Sequence, residues 1–130
     1  MGAVTLDDVG DMAETKQALT EAVLWPLRYP DTFTRLGVIS PSVWWDNRVI
    51  LKLVRMTDPK PRLSIWLDIG TREGGTTVRD ARALRDELVR AGWVVGSDLR
   101  YAEIPEADHT EAAWAERVGP FLEYLFPAHR

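Results

Sequence analysis

The chain has 130 residues, 16 Lys and Arg against 20 Asp and Glu, and a net charge of −4. That length fits one domain with a core of its own, and the acidic balance excludes the basic face that nucleic-acid binding needs. The absence of Cys excludes disulfides and thiolate metal sites, and no apolar run approaches the roughly 18 to 20 residues of a membrane span.

The N-terminal stretch MGAVTLDDVGDMAE is acidic and has neither the basic nor the apolar region of a signal peptide. A cytoplasmic protein is therefore expected. Six Trp residues in so short a chain imply a well-filled core or an apolar pocket.

The elements alternate along the chain, with no repeat and no linker. Asp8 to Leu27 reads as a helix, with Met12, Leu19, Val23 and Leu27 on one stripe. Pro26 and Pro30 end it. Leu36 to Ile39 is a short apolar run suited to a buried strand. Ser40-Pro41-Ser42 breaks that run, and Asp46 to Met56 forms a second helix. Leu63 to Leu67 is the next strand, closed by Asp68-Ile69-Gly70. Thr77 with Asp80 three residues on has a capping-box pattern. Val78, Ala81, Leu84 and Leu88 then line a buried side, and Gly92 stops the helix. Leu99 to Ile104 is a third strand. Thr110 to Phe126 is a last helix, with Trp114, Val118, Phe121 and Leu125 as its apolar stripe and a kink expected at Gly119-Pro120.

Short apolar strands alternating with helices predict an α/β fold: a three-layer sandwich around a parallel sheet of about three strands. Such sheets carry their sites in the loops beyond the C-terminal strand ends. Three loops are thereby selected: Ser40 to Asp46, Asp68 to Gly75, and Pro105 to His109.

His109 follows the third strand at the mouth of the last helix, with Glu106, Asp108 and Glu111 nearby. An imidazole there is poised to titrate near neutral pH, or it is a plain surface histidine. Glu73 sits in a Gly-rich turn past the second strand, from where a carboxylate can reach the histidine of the next loop and fix its tautomer. A solvated Glu in a tight turn is the alternative, and Asp68 is a competing acid. Ser40 and Ser42 end the first strand, but neither belongs to a G-x-S-x-G elbow, and a cap or turn role suits Ser42. Trp44 and Trp45 either wall a pocket or pack beneath the helices.

These loops together carry a family resemblance. Arg28-Tyr29-Pro30-Asp31-Thr32-Phe33, Gly37-Val38-Ile39-Ser40-Pro41-Ser42-Val43-Trp44-Trp45, Trp66-Leu67-Asp68-Ile69-Gly70-Thr71-Arg72-Glu73-Gly74 and Asp108-His109-Thr110-Glu111-Ala112-Ala113-Trp114 resemble consecutive motifs of the Putative esterase family of α/β-hydrolases. That family includes esterase D-like, feruloyl and enterobactin esterases. The resemblance runs from about Leu27 to Pro127 and implies the C-terminal half of the fold. It implies His109 as general base and Glu73 as the acid, with the Ser40 to Trp45 segment flanking the active site. The nucleophile elbow has no counterpart, because the corresponding stretch, Glu14 to Leu19, holds neither Gly nor Ser. Residues 1–130 are thus expected to form one truncated α/β-hydrolase domain, with a non-family helical N-terminus over 1–26 and a family-like region over 27–127.

The implied function is weak hydrolysis of an activated carboxylic or phosphoric ester. His109 acts as general base on water, Glu73 or Asp68 supplies the acid, and Ser40, Ser42, Trp44 and Trp45 contact a small-molecule substrate. No cofactor is expected; a divalent metal on His109, Glu73 and Asp68 ranks lower, because no two-histidine spacing supports it. The alternative is a catalytically inactive remnant or interaction module. Without a preceding strand, Leu36 to Ile39 presents a bare edge, so a homodimer is expected. Neither nucleic acid nor membrane is expected as a partner.

Overall fold

The structure, a computed structural model, describes residues 32–128. The expected N-terminal helix and His129 lie outside these residues. The described elements are β1 (Arg35–Ile39), α1 (Trp45–Arg55), β2 (Ser64–Gly70), α2 (Thr77–Ala91), β3 (Leu99–Ile104) and α3 (Glu111–Leu125). The strands form one sheet in the order β1-β2-β3, parallel throughout, with Leu36 opposite Ile65 and Leu67 opposite Tyr101.

The two faces of the sheet follow from the alternation of side chains along the central strand. Ile65 and Leu67 of β2 join Val43, Val54, Leu84, Leu88, Trp93 and Leu99 in the core shared with α1 and α2. Trp66 and Asp68 point the other way. The Trp66 ring meets Phe121 and Tyr124 of α3 at 6.4 and 6.1 Å between centroids. Phe121 and Leu125 also cover Gly37 of β1. The result is the expected three-layer α/β sandwich, with α1 and α2 on one face and α3 on the other.

Element boundaries differ from the sequence reading at four places. First, β2 runs on through Asp68, Ile69 and Gly70, which pair with Ala102, Glu103 and Ile104. A charged residue can continue a buried strand here because Arg117 of α3 neutralises it. Second, α1 opens with a left-handed turn at Asp46, Asn47 and Arg48, whose φ values are 48, 53 and 60°. Third, the α2 cap position is Thr76, not Thr77, and its hydroxyl bonds to the Asp80 carboxylate at 2.8 Å instead of to the backbone. Fourth, α3 passes through Gly119-Pro120 as one helix, and Val118 is exposed. Its inward stripe contains Arg117, which is 3% exposed. Elsewhere the punctuation agrees: Gly92 closes α2 at φ 115°, and Thr110 caps α3 by accepting from the Ala113 N–H at 3.3 Å.

Because the strands are parallel, the loops after β1, β2 and β3 emerge at one edge. The last two are sewn together. The Thr71 N–H donates to the Ile104 carbonyl at 3.0 Å and the Arg72 N–H to the Ala107 carbonyl at 2.9 Å, while the Glu106 N–H donates to the Thr71 hydroxyl at 2.8 Å. This seam requires glycine at position 70. A Cβ there would lie 2.3 Å from the Ala107 carbonyl oxygen and 2.9 Å from Glu73 Oε1, so the backbone would have to move. Gly70→Ala is expected to destabilise the fold by about 1–3 kcal/mol, the usual cost of overpacking. Gly37→Ala, whose Cβ would make ordinary contacts of 3.5 Å with Phe121, should cost less. Urea denaturation of the two variants checks the order.

Candidate active site

The three loops converge on one polar cluster, best followed from its buried end. Asp68, at the C-terminal end of β2, is fully buried. A carboxylate in such a place must be paired and hydrogen-bonded. Arg117 Nε reaches its Oδ2 at 3.1 Å and Arg117 Nη2 its Oδ1 at 3.0 Å. The Trp66 indole N–H adds a bond to Oδ2 at 2.9 Å, and the Ser40 N–H one to Oδ1 at 3.2 Å. Asp68 is thus held by four donors from three residues, Arg117, Trp66 and Ser40.

Arg117 extends the cluster towards the surface. Its Nη2 also donates to Ser40 Oγ at 2.6 Å, and its Nη1 donates to the Ala113 carbonyl at 3.2 Å. The Trp114 indole N–H reaches Ser40 Oγ at 3.2 Å, and the Ser40 hydroxyl contacts Glu73 Oε1. Ser40 sits at φ 48°, a left-handed conformation that is uncommon for any residue but Gly, Asn or Asp. That turn places its hydroxyl among Arg117, Trp114 and Glu73.

Glu73 closes the chain of contacts. Its Oε1 also accepts from the Gly70 N–H at 2.9 Å, and Arg117 Nη2 lies 3.7 Å away. Its Oε2 meets His109 Nδ1 at 2.9 Å. The Glu73 side chain is 1% exposed and that of His109 54%. The imidazole therefore leans on a buried carboxylate while the rest of the ring faces solvent. The rings of His109 and Trp114 meet at 90°, with centroids 4.8 Å apart. Burial pushes the Glu73 carboxyl up, but hydrogen bonds from His109, Ser40 and the Gly70 N–H, with the His109 charge, outweigh it and hold the group below its ordinary range. A carboxylate on Nδ1 directs Nε2 outward, the arrangement in which a histidine acts as general base.

The structure thus brings His109 and Glu73 together and gives Asp68 a different place. Both Asp68 oxygens are committed to Arg117, Trp66 and Ser40, so it supports the cluster from below. Ser40, read from the sequence as a substrate contact, is 6% exposed, and its hydroxyl is spent inside the cluster. Ser42 is exposed and makes a turn, its carbonyl accepting from the Trp45 N–H at 3.1 Å. The two tryptophans part company. Trp44 is 57% exposed and lines an open groove of about 640 Å³ with Asn47, Arg48, Thr76, Arg79 and Asp80. Trp45 is half-buried and not among the lining residues. Arg117 and Trp114 are the site residues that the sequence reading passed over. The available signal was a charge three residues after Trp114 on the inward stripe of α3, since a buried Arg demands a carboxylate partner. Among the described residues no three His, Cys, Asp or Glu come together as a metal site.

The family model described as "Putative esterase" matches residues 19–125, and the chain belongs to that family. Siderophore hydrolase EstB from Aspergillus nidulans has a similar structure, with a TM-score of 0.50 and 20% identity, over 84% of this chain and 47% of that one. That likeness shows a shared α/β-hydrolase fold, of which the chain spans about half the neighbour's length. A segment of 39 residues is 47% identical to Protein SAV of Sulfolobus acidocaldarius, and one of equal length is 49% identical to Protein CdcH of Halobacterium salinarum. Each of these matches covers 30% of this chain and 5% of the other protein. They are too short to bear on the site.

The lowered Glu73 pKa has a consequence for stability. A group depressed in the folded state stabilises above its unfolded pKa, about 4.3 for glutamate, and loses that contribution as pH falls through the folded value. Glu73→Gln is therefore expected to be less stable than wild type at pH 7, with the gap closing on acidification below about pH 4. Urea denaturation of both proteins across pH 3 to 7 tests this; a gap that does not change with pH would contradict it.

Proposed function

We propose that this chain is a hydrolase-like half-domain that assists hydrolysis of activated carboxylic or phosphoric esters, with His109 as general base on water and Glu73 as its orienting acid. The observation that carries this reading is the 2.9 Å contact between His109 Nδ1 and the buried Glu73 carboxylate. The esterase family supports the reaction class. The hydrolase title of the structural neighbour names chemistry of the same kind, stated there of a chain about twice as long.

No G-x-S-x-G is present in the sequence, so the direct route is attack by water activated at Nε2. The imidazole takes a proton from water as the hydroxide adds to the ester carbon or phosphorus, and returns it to the leaving alkoxide. General-base assistance of this kind is worth roughly 10² to 10⁴ in rate, so turnover is modest. The open groove beside Trp44 offers an aromatic face for the leaving group. Among the described residues no helix is long and apolar enough to cross a membrane.

Hydrolysis of p-nitrophenyl acetate and p-nitrophenyl phosphate by wild type, His109→Ala and Trp44→Ala, with and without EDTA, tests the proposal. His109→Ala should lower the rate by about 10² or more, Trp44→Ala should mainly raise KM, and EDTA should change nothing. A wild type no faster than His109→Ala would sink the hydrolase reading.

A second reading, an inactive module that dimerises, draws on the outer edge of β1. Among the described residues β1 pairs only with β2, and an unpaired strand edge is a template for another strand. Two-fold pairing of β1 with a second copy would join two sheets into one of six strands. Light scattering should then report about twice the 14.7 kDa chain mass; a monomer mass at micromolar concentration would rule out the dimer.

A further inference from the structure

We infer that Ser40 and Arg117 are positioning residues: they hold Glu73 as an ionised acceptor aimed at His109 and so keep the imidazole in the tautomer that presents a bare Nε2. This rests on the His109–Glu73 reading above and deepens it.

The argument is a count of protons and lone pairs. Arginine and tryptophan side chains donate hydrogen bonds and never accept them. Both Arg117 Nη2 and Trp114 Nε1 point at Ser40 Oγ, at 2.6 and 3.2 Å. A serine hydroxyl has two lone pairs and one proton. With both lone pairs occupied, its proton is left for the remaining neighbour, Glu73 Oε1. The Gly70 N–H donates to that same oxygen at 2.9 Å. Oε1 therefore accepts two hydrogen bonds and carries no proton of its own.

Oε2 faces His109 Nδ1, and one proton must lie between them. The donors on Oε1 and the Arg117 guanidinium 3.7 Å away all favour a carboxylate, because hydrogen bonds and positive charge stabilise the ionised form. The proton belongs on Nδ1, which leaves Nε2 as the lone-pair nitrogen of the neutral ring. The direction of every hydrogen bond from the buried Arg117 to the exposed imidazole is thus set by two donor-only side chains. Asp68 anchors the source: two contacts, of 3.0 and 3.1 Å, fix the guanidinium plane and aim Nη2 at Ser40.

The left-handed backbone of Ser40 supplies a control. Ser40→Ala and Ser40→Gly both delete the hydroxyl, but glycine enters positive φ freely and alanine does not. The two variants should therefore differ in stability and agree in their effect on His109. The readout is the ¹⁵N chemical shifts of the His109 ring nitrogens at a pH where the ring is neutral, recorded on the full chain. This measurement needs no turnover. Wild type is expected to show a protonated Nδ1 and a bare Nε2. Both Ser40 variants should lose that single-tautomer signature to a similar extent, with Nε2 shifting towards the protonated position. Arg117→Lys keeps the charge opposite Asp68 but loses the planar fork, and should shift Nε2 in the same direction.

An unchanged tautomer in both Ser40 variants would overturn the inference. So would a change in Ser40→Ala but not in Ser40→Gly, which would mark the effect as backbone strain. A wild-type tautomer in Arg117→Lys would remove Arg117 from the proposal. Ester hydrolysis measured on the same variants separates the two readings. A wild type that is inert yet shows the single tautomer sinks the hydrolase reading alone, whereas unaltered tautomers in the Ser40 variants sink the positioning role even in an active protein.

Discussion

The ion pair between Asp68 and Arg117 is the contact on which the rest of the site depends. Both side chains are withdrawn from water, at 0% and 4% exposure. Charges in such a place carry a desolvation cost of several kcal/mol each, offset only by close geometry and full hydrogen bonding. Here the guanidinium meets both carboxylate oxygens, and the Trp66 indole and the Ser40 N–H take up further acceptor capacity. Loss of one partner from a buried pair of this kind typically costs about 3–5 kcal/mol. The same contact ties α3 to the end of the central strand, so the helix that follows His109 is held in place through the pair that underlies Glu73.

From that anchor the cluster runs outward through decreasing burial. Arg117 and Asp68 lie inside, Ser40 and the Glu73 carboxylate lie just beneath the surface, and the His109 ring stands half in solvent. This gradient leaves the imidazole in contact with solvent while the Glu73 carboxylate beneath it is held below its ordinary pKa range. The Glu73 side chain is almost excluded from water, yet its hydrogen bonds and the His109 charge outweigh the desolvation that pushes its pKa up. Two backbone features make room for it. Ser40 accepts a left-handed conformation, and Gly70 lets the loops after β2 and β3 approach more closely than any side chain would permit.

The opposite face of the sheet has a different task. Ile65, Leu67 and Leu99 pack with Val43, Val54, Leu84, Leu88 and Trp93 into an apolar core. The Trp93 indole N–H, the one polar group of that side chain, donates to the Leu63 carbonyl at 2.7 Å. Stability on that side comes from burial of apolar area. On the α3 side aromatic contacts are mixed with the polar cluster. The central strand serves both, through the alternation of its side chains, so that a residue of the core and a residue of the site are always neighbours in sequence.

That division governs what could be read from one dimension. Hydrophobic periodicity determined the three strands and the helices between them, because a buried strand or an amphipathic helix shows its pattern within a few residues. Alternation of the elements then dictated a parallel sheet and the edge at which its loops meet, and the motifs around Ser40, Glu73 and His109 indicated which loops mattered. The family resemblance pointed to Glu73 as the partner of His109, but the physical reason that Asp68 does not take that place was visible only in three dimensions. Both acids lie near the same strand end, and the choice turned on Arg117, 49 positions from Asp68, having already claimed it. The role of Ser40 was equally hidden, since its hydroxyl takes its meaning from a guanidinium 77 positions away. Local patterns report the free energy of burying a segment against something. Which charge meets which depends on the packing of α3 across the sheet, and that is settled only when distant parts of the chain share one desolvated space.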